Sequence, residues 1–404
     1  MRLTTLVIVS CLVLLMISFA HVAVNAAPPN DAADTAPTAS DDADTDAKAV
    51  EETKDPIAAW NELQSQRIEL GKKLNVLRAE FEKADDDRKL EIRKEYTALM
   101  TTFQSELQPK MVKLAPRVYK LDPKQGDAGQ IAMEIAFREN RYAESAKIAD
   151  VLIAQGRNVD AILSAAGASQ YAMHNFEQAA KIFNEAEKAG KLDKRGGQFK
   201  KAANDYIELW KNEQEIRERE VQATGDQQLP RVELKTSRGN VVLELFENEA
   251  PNAVANFITL VESGKYDGIK FHRVLPNFMA QGGNLNTLDD DPANDNDGSG
   301  FTIECECYRD DARKHFRGTL SMAHAGKNTG GAQFFLTHLP TYWLNAGHSA
   351  NPGHTVFGRV AEGQETVDAI SVGDALKSAK VLRKRNHEYK PERKVDKPAE
   401  ENSE

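Results

Sequence analysis

The hydrophobic period of this chain changes once, at the polar segment Gly225 to Pro230. That change limits the fold more than any single residue. Upstream, apolar residues recur every three or four positions, the spacing of a helical face; downstream they alternate, the spacing of a half-buried strand. A helical part followed by a part built of short strands is expected. A chain of 404 residues has room for two or three domains of ordinary size.

The helical part begins after two segments of different character. Arg2, the apolar run Leu6 to Phe19 and the small residues Val24-Asn25-Ala26 have the order of an export signal over residues 1–26. Cleavage before Ala27 would release an exported, periplasmic or extracytoplasmic protein; an uncleaved segment would anchor it to a membrane. Residues 27–55 carry nine acidic residues against Lys48 and Lys54 and no apolar period, the composition of a disordered spacer. From Trp60 a stripe runs through Leu63, Arg67, Leu70, Leu74, Leu77 and Phe81. Ala84 to Asp87 interrupts it, and a second stripe, Ile92, Tyr96, Leu99, Phe103 and Leu107, ends at Pro109. An antiparallel helical hairpin over 56–115 is the simplest structure, with a dimerising coiled coil as the other way to bury two such stripes.

Residues 120–222 contain an internal repeat. Asn140-Arg141-Tyr142-Ala143-Glu144-Ser145-Ala146-Lys147-Ile148 returns as His174-Asn175-Phe176-Glu177-Gln178-Ala179-Ala180-Lys181-Ile182, 34 residues later, and Gly156 returns as Gly190. Gly167, Ala179, Phe183 and Ala186 in the second copy, with Met133 and Ser145 in the first, resemble the small and aromatic positions of tetratricopeptide repeats. Gln198 to Val221 would then cap the array, with Tyr206, Leu209 and Trp210 turned inward. Such repeats present a surface to a peptide or protein partner; the same helices could equally brace the neighbouring domain or pair two copies of the chain.

Beyond Pro230 the strands begin. Val232 and Leu234 alternate with Glu233 and Lys235, Ser237-Arg238-Gly239-Asn240 turns, and Val241, Leu243 and Leu245 return. Pro251 opens a helix with Val254, Phe257, Ile258 and Val261 on one face, closed by Gly264; Gln364 to Ser371 reads as a second helix and Lys380-Val381-Leu382 as a closing strand. Many short strands with two helices suit a closed antiparallel barrel capped by helices.

The motifs lie in this part. Phe271-His272-Arg273-Val274-Leu275-Pro276-Asn277-Phe278-Met279-Ala280-Gln281-Gly282-Gly283 sets one arginine, a Phe-Met pair and a glutamine around a strand-to-turn junction. Gly318-Thr319-Leu320-Ser321-Met322-Ala323-His324-Ala325-Gly326, Gly331-Ala332-Gln333-Phe334-Phe335-Leu336-Thr337, Trp343-Leu344 and His354-Thr355-Val356-Phe357-Gly358 follow in order. Together they resemble the cyclophilin family of peptidyl-prolyl cis-trans isomerases, over about Arg231 to Leu382 within a domain of 229–386. The resemblance implies that Arg273 donates to the substrate imide nitrogen and Gln281 binds the substrate backbone. It also implies that Phe278, Met279, Phe335, Leu344 and His354 line a proline pocket with Trp343 at its rim. Backbone groups of Ala323 and His324 would pair with an extended peptide; His324 stands where many members carry Asn. Asn345 to Gly353 reads as an insertion, which leaves His348 as a competitor to His354. Trp343 is the residue that implies binding of cyclosporin-like cyclic peptides.

The implied partners are proline-containing polypeptides, and the implied chemistry needs no metal or cofactor, because no bond is broken. A protein that holds proline segments with little turnover is the alternative. A net charge of -10 excludes nucleic acid as the main partner, since phosphate binding needs a basic face. Cys305 and Cys307, two apart, read as two thiols on one face of a strand. In the acidic loop Asp289 to Gly298, Asp295-Asn296-Asp297-Gly298 with Glu304 echoes part of a calcium loop, but Ala293 occupies the first ligand position, so an acidic solvated loop is expected. Residues 387–404 are expected to be a charged, disordered tail.

Overall fold

The computed structural model describes residues 55–288, 299–348 and 352–395. The export signal, the acidic spacer before Asp55, the Asp289 to Gly298 loop and residues 396–404 lie outside them. The chain divides into two compact units, one of residues up to 135 with 147–158, the other of 136–146 with 159–404.

In the first unit, helix α1 (Pro56–Phe81) starts where the Asp55 carboxylate accepts from the Ile57 and Ala58 amides, the capping expected of an aspartate at that position. Helix α2 (Asp86–Thr102) is capped the same way by Asp85. The two predicted stripes supply Trp60, Leu74, Phe103 and Leu107 to one core, joined by Met111, Leu114 and Ala128. Arg67, the polar interruption of the first stripe, is buried and donates to Asp127 at 2.7 Å; a buried guanidinium needs such a partner. The second stripe does not stop at Pro109. A π-helical turn, Phe103–Leu107, leads directly into α3 (Gln108–Leu121), and Pro109 falls in its first turn. A proline there forfeits little, and the wider turn removes the clash its ring would make in an uninterrupted α-helix.

Helices α4 (Gly126–Arg138), α5 (Tyr142–Ala154), α6 (Asp160–Ala172), α7 (Phe176–Lys188) and α8 (Lys194–Gln222) follow in order. Gly126, Asp160 and Lys194 open helices 34 residues apart, as do Tyr142 and Phe176. Asn140 and His174, and Gly156 and Gly190, end helices in the left-handed conformation, a common way to terminate one. In the second unit Tyr171, Phe176, Phe183 and Tyr206 form an aromatic core. A Cβ at Gly167 would lie 2.5 Å from the Phe183 ring, so this helix pair needs glycine there.

The strands build one eight-stranded antiparallel sheet in the order β3-β4-β7-β6-β8-β2-β1-β9. Its members are β1 (Arg231–Thr236), β2 (Asn240–Leu245), β3 (Arg273–Leu275), β4 (Met279–Gly282), β6 (Thr319–Met322), β7 (Phe334–Thr337), β8 (Val356–Glu362) and β9 (Leu376–Arg383). The barrel expected from sequence is not closed by a strand ladder: β3 and β9 are the outer strands of the sheet, and the segments that lead into them meet through the isolated bridge Lys270 to Ala375 and single backbone bonds, such as the Gly268 amide to the Leu376 carbonyl at 2.8 Å and the Phe271 amide to the Asp374 carbonyl at 2.9 Å. β3 is three residues long because Pro276 and the left-handed Asn277 turn the chain at once into β4, so it offers no ladder to its far side. Helix α9 (Pro251–Glu262) packs Val254, Phe257, Ile258 and Val261 into the sheet core, and the Glu306 carboxylate accepts from its Asn252 and Ala253 amides. Helix α10 (Gln364–Asp368) is shorter than expected. The Ser371 amide already donates to Asp374, within the turn that enters β9.

The expected disordered tail is ordered as far as the structure describes it. Tyr389 packs on the sheet core, and β10 (Lys394–Val395) pairs with β5 (Phe301–Thr302). Alternating charge hid an aromatic anchor. Helix α8 is seated on the sheet by buried ions: Arg313 donates to Glu213 at 2.8 Å and to Glu220 at 2.6 Å, and Arg359 to Glu220 and Glu244, each at 2.6 Å. These guanidiniums hold the Glu213 and Glu244 carboxyls below their usual range against the opposing effect of burial. Among the described residues no helix is long and apolar enough to cross a membrane.

Candidate active site

Four strands bring one row of side chains together. Arg273 on β3 faces Gln281 on β4, Gln281 faces Phe335 on β7, and Phe335 faces Ser321 on β6. Residues in register across adjacent strands share one face of a sheet, so period-two geometry alone places an arginine, a glutamine and a phenylalanine side by side. Arg273 Nη1 donates to Gln281 Oε1 at 3.3 Å, and its guanidinium carbon stands 6.0 Å from the centre of the Phe278 ring. Gln281 Nε2 in turn donates to Gln333 Oε1 at 2.8 Å. The arginine is exposed while its neighbours along the row grow progressively more buried, which leaves a cation at the edge of an apolar surface.

That surface is a separate small cluster. Met279, Phe335 and Leu344 are buried together, with Phe278, Ala323 and Trp343 packed around them. Phe278 and Trp343 approach to 5.6 Å between ring centres across the opening. His354 sets its ring edge-on to Phe335 at 5.5 Å, and its Nδ1 lies 2.9 Å from the Met322 carbonyl. A carbonyl only accepts, so Nδ1 carries the proton. Burial pushes this histidine down to about 3, so the ring is neutral and serves as an uncharged wall. His348 lies elsewhere, edge-on to the Tyr342 ring at 4.9 Å. His324 stacks on His354 at 4.0 Å. The Ala323 amide is already spent on the Gln333 carbonyl at 3.0 Å, which leaves its carbonyl as the group that can meet a bound peptide.

The ten predicted site residues therefore converge, but three contributors escaped the sequence. Gln333 lies in the segment Gly331 to Thr337, just ahead of β7; its place two residues before Phe335, on the same face of an extended chain, was the available signal. His315 is buried beneath Phe335, ring parallel to ring at 6.1 Å, and bonds Ser321 Oγ at 3.0 Å. Burial depresses it to about 4. Nothing in a lone histidine ahead of a strand marks such a role. Asn140, 137 residues upstream, accepts from the Asn277 amide at 2.8 Å.

Cys305 and Cys307 are not on a strand as expected. The Cys305 amide donates to the Asn328 side chain and the Glu306 amide to Thr355 Oγ1, so side chains take the place of a ladder. The Asn328 amide donates to Cys305 Sγ at 3.1 Å, and the neighbouring Cys307, followed by His324, holds the Cys305 thiol below the usual range. Among the described residues no group of three or more His, Cys, Asp or Glu is placed to hold a metal.

The family model for "Cyclophilin type peptidyl-prolyl cis-trans isomerase/CLD" matches residues 231–388, the strand region that carries this row. A peptidyl-prolyl cis-trans isomerase of Helicobacter pylori is 44% identical over 147 residues, covering 36% of this chain and 82% of the relative. One of Synechococcus elongatus is 41% identical over 151 residues, 37% of this chain and 94% of the relative. Peptidyl-prolyl cis-trans isomerase B of Bacillus subtilis is 44% identical over 144 residues, 35% of this chain and 92% of the relative. With nearly the whole of these relatives aligned on the segment that builds the arginine row and its apolar floor, the chain belongs to the cyclophilin-type peptidyl-prolyl cis-trans isomerases and is an enzyme of that activity.

Proposed function

We propose that this isomerase accelerates proline-limited folding of exported proteins, with Arg273 as the catalytic group. Uncatalysed X-Pro bonds interconvert over tens to hundreds of seconds, because amide resonance imposes a barrier of about 18–20 kcal/mol. Acceleration requires a site that holds the twisted amide better than either planar form. Twisting localises a lone pair on the imide nitrogen, and a guanidinium can donate to it while staying charged at any working pH. Gln281 would accept or donate to the peptide backbone beside it. The proline ring would lie on Met279, Phe335 and Leu344 between Phe278, Trp343 and the neutral His354, with the carbonyl of Ala323 and the backbone of His324 aligning the chain. The observation that carries this reading is the row Arg273–Gln281–Phe335, which sets a fixed cation beside a buried apolar floor.

The remaining proposals rest on sequence. Residues 1–26 would direct export to the periplasm or another extracytoplasmic space, and residues 120–222 would be tetratricopeptide-like repeats that recruit a protein partner. The test is turnover of a short X-Pro peptide, and refolding of a proline-limited exported protein, by the full mature chain and its Arg273→Ala variant. Acceleration of both reactions that collapses in the variant supports the reading; peptide binding without acceleration would make the pocket a recognition site only.

A further inference from the structure

The floor of the site is built by ladders, but its two outer walls are not. One wall is the turn Leu275 to Phe278; the other is the segment Pro340 to Asn345, which carries Trp343 and Leu344. Both walls are tied to side chains from the helical segments of the same compact unit. The Asn277 amide donates to Asn140 Oδ1, which also accepts from Tyr142 OH at 3.1 Å, while Asn140 Nδ2 donates to the Asp368 carbonyl at 3.1 Å. Asn140 is buried, and its left-handed backbone at the end of α4 is what aims the amide at the turn. On the other wall, Tyr171 OH donates to the Pro340 carbonyl at 3.2 Å and Tyr342 OH to the Gln198 carbonyl at 3.2 Å. Asn345 Nδ2 donates to Tyr206 OH at 2.9 Å, and that hydroxyl donates to the His315 carbonyl at 3.0 Å. Asn345 Oδ1 receives the His315 amide at 3.0 Å. Through His315, this chain reaches the underside of Phe335. Trp343 belongs to both sides: it packs against the helical aromatic core and against the pocket cluster.

We propose that Tyr206 and Asn140 are positioning residues for the isomerase site. They fix the separation of Phe278 and Trp343, and so they set which X-Pro segments the opening admits. On this account the helices fused ahead of the isomerase domain form part of its substrate selection, whatever partner they also bind. The inference rests on the pocket proposed above. A wall held by neutral hydrogen bonds from rigid helices has one position rather than several. Releasing it lets the opening widen, which weakens ground-state and transition-state binding together and leaves the chemical step alone. That pattern raises KM without lowering kcat.

The test uses the full mature chain. Tyr206→Phe keeps the ring in the aromatic core and removes only the hydroxyl; Asn140→Ala removes the acceptor for Asn277. With a short X-Pro peptide, each variant is expected to raise KM about fivefold, the scale of one net hydrogen bond, with kcat held within about twofold. Because Tyr206 acts through the Trp343 wall, Tyr206→Phe should add nothing to KM in a Trp343→Ala background. The ratio of KM values between a bulky and a small residue before proline should also narrow. If Tyr206→Phe does not fold, Tyr171→Phe, which frees only the Pro340 carbonyl, carries the same expectation. KM unchanged in folded Tyr206→Phe and Asn140→Ala, or a Tyr206→Phe effect that adds fully to Trp343→Ala, would overturn the proposal and leave a purely structural contact. Arg273→Ala in parallel separates the two failures: if it retains turnover, the pocket assignment is wrong; if it loses turnover while KM of the other variants stays flat, only the positioning role is wrong.

Discussion

The floor and the walls of this site obey different physics. The floor is four strands in register, so each of its side chains is placed by its ladder neighbour about 4.5–5.5 Å away. The walls are irregular segments whose positions come from hydrogen bonds to side chains more than 130 residues distant in sequence, Asn140 to Asn277 and Tyr206 to Asn345. A ladder tolerates little variation, because a one-residue slip turns every side chain to the other face. A wall held by single hydrogen bonds can be retuned by one substitution. The proposed roles put chemistry on the part that ladders hold rigid and selection on the part that single hydrogen bonds hold.

The same contrast separates two arginines. Arg273 is exposed at the edge of the floor; Arg313 is buried and surrounded by Glu213, Glu220 and Glu249. Arg313→Ala would strand those carboxylates without their cation and should cost about 3–5 kcal/mol of stability, readable as a large fall in the denaturant midpoint. An Arg313 variant as stable as the parent would mean that water reaches the network. Acidification is the next largest perturbation. His174 and His354 are depressed to about 3 by burial, and His315 and His338 to about 4. The unfolded chain takes up these protons near pH 6.5 and the folded chain does not, so their effect on stability is nil above that pH and grows as pH falls toward 4. On the order of 1 kcal/mol per histidine should be lost between pH 6.5 and 5, measurable as a falling urea midpoint. Turnover per folded molecule should stay flat over pH 6 to 8, because a guanidinium does not titrate there; a bell-shaped profile would place a titrating group in the chemistry. The smallest change is to the floor itself. Gly283 closes β4 at φ +82°, and a Cβ there would lie 2.5 Å from the Ala332 carbonyl oxygen. Gly283→Ala should cost about 2 kcal/mol or slightly more and lower kcat by shifting Gln281. A variant with unchanged stability would show that the end of the β4 ladder yields to an added methyl group.

How much of this was legible follows the same division. The family resemblance carried by the ordered motifs named Arg273, Gln281 and Phe335; that they stand in one row is set by strand register, which the motifs do not spell out. The 34-residue recurrence was legible as a repeat, and the structure opens a helix at each of its copies, at Tyr142 and Phe176. The passage of the second stripe through Pro109 was hidden, since a π turn leaves no periodic trace. The closure of the sheet was overestimated because short strands signal pairing but not how many partners the outermost one finds. Tyr389 anchors a segment whose charge alone suggested disorder. Asn140, Tyr206 and His315 were invisible as site residues, since each acts through a contact that exists only once the helical and strand segments have docked.

The central claim is that Arg273 acts on the twisted amide while the apolar floor and walls bind the peptide. The most direct measurement is calorimetric affinity for an X-Pro peptide beside turnover of the same peptide, in the parent and in Arg273→Ala. The account predicts a Kd changed by no more than a few-fold with kcat/KM reduced about 100-fold or more, the signature of an interaction made only in the transition state. Equal losses in affinity and turnover, or turnover that survives the substitution, would contradict it.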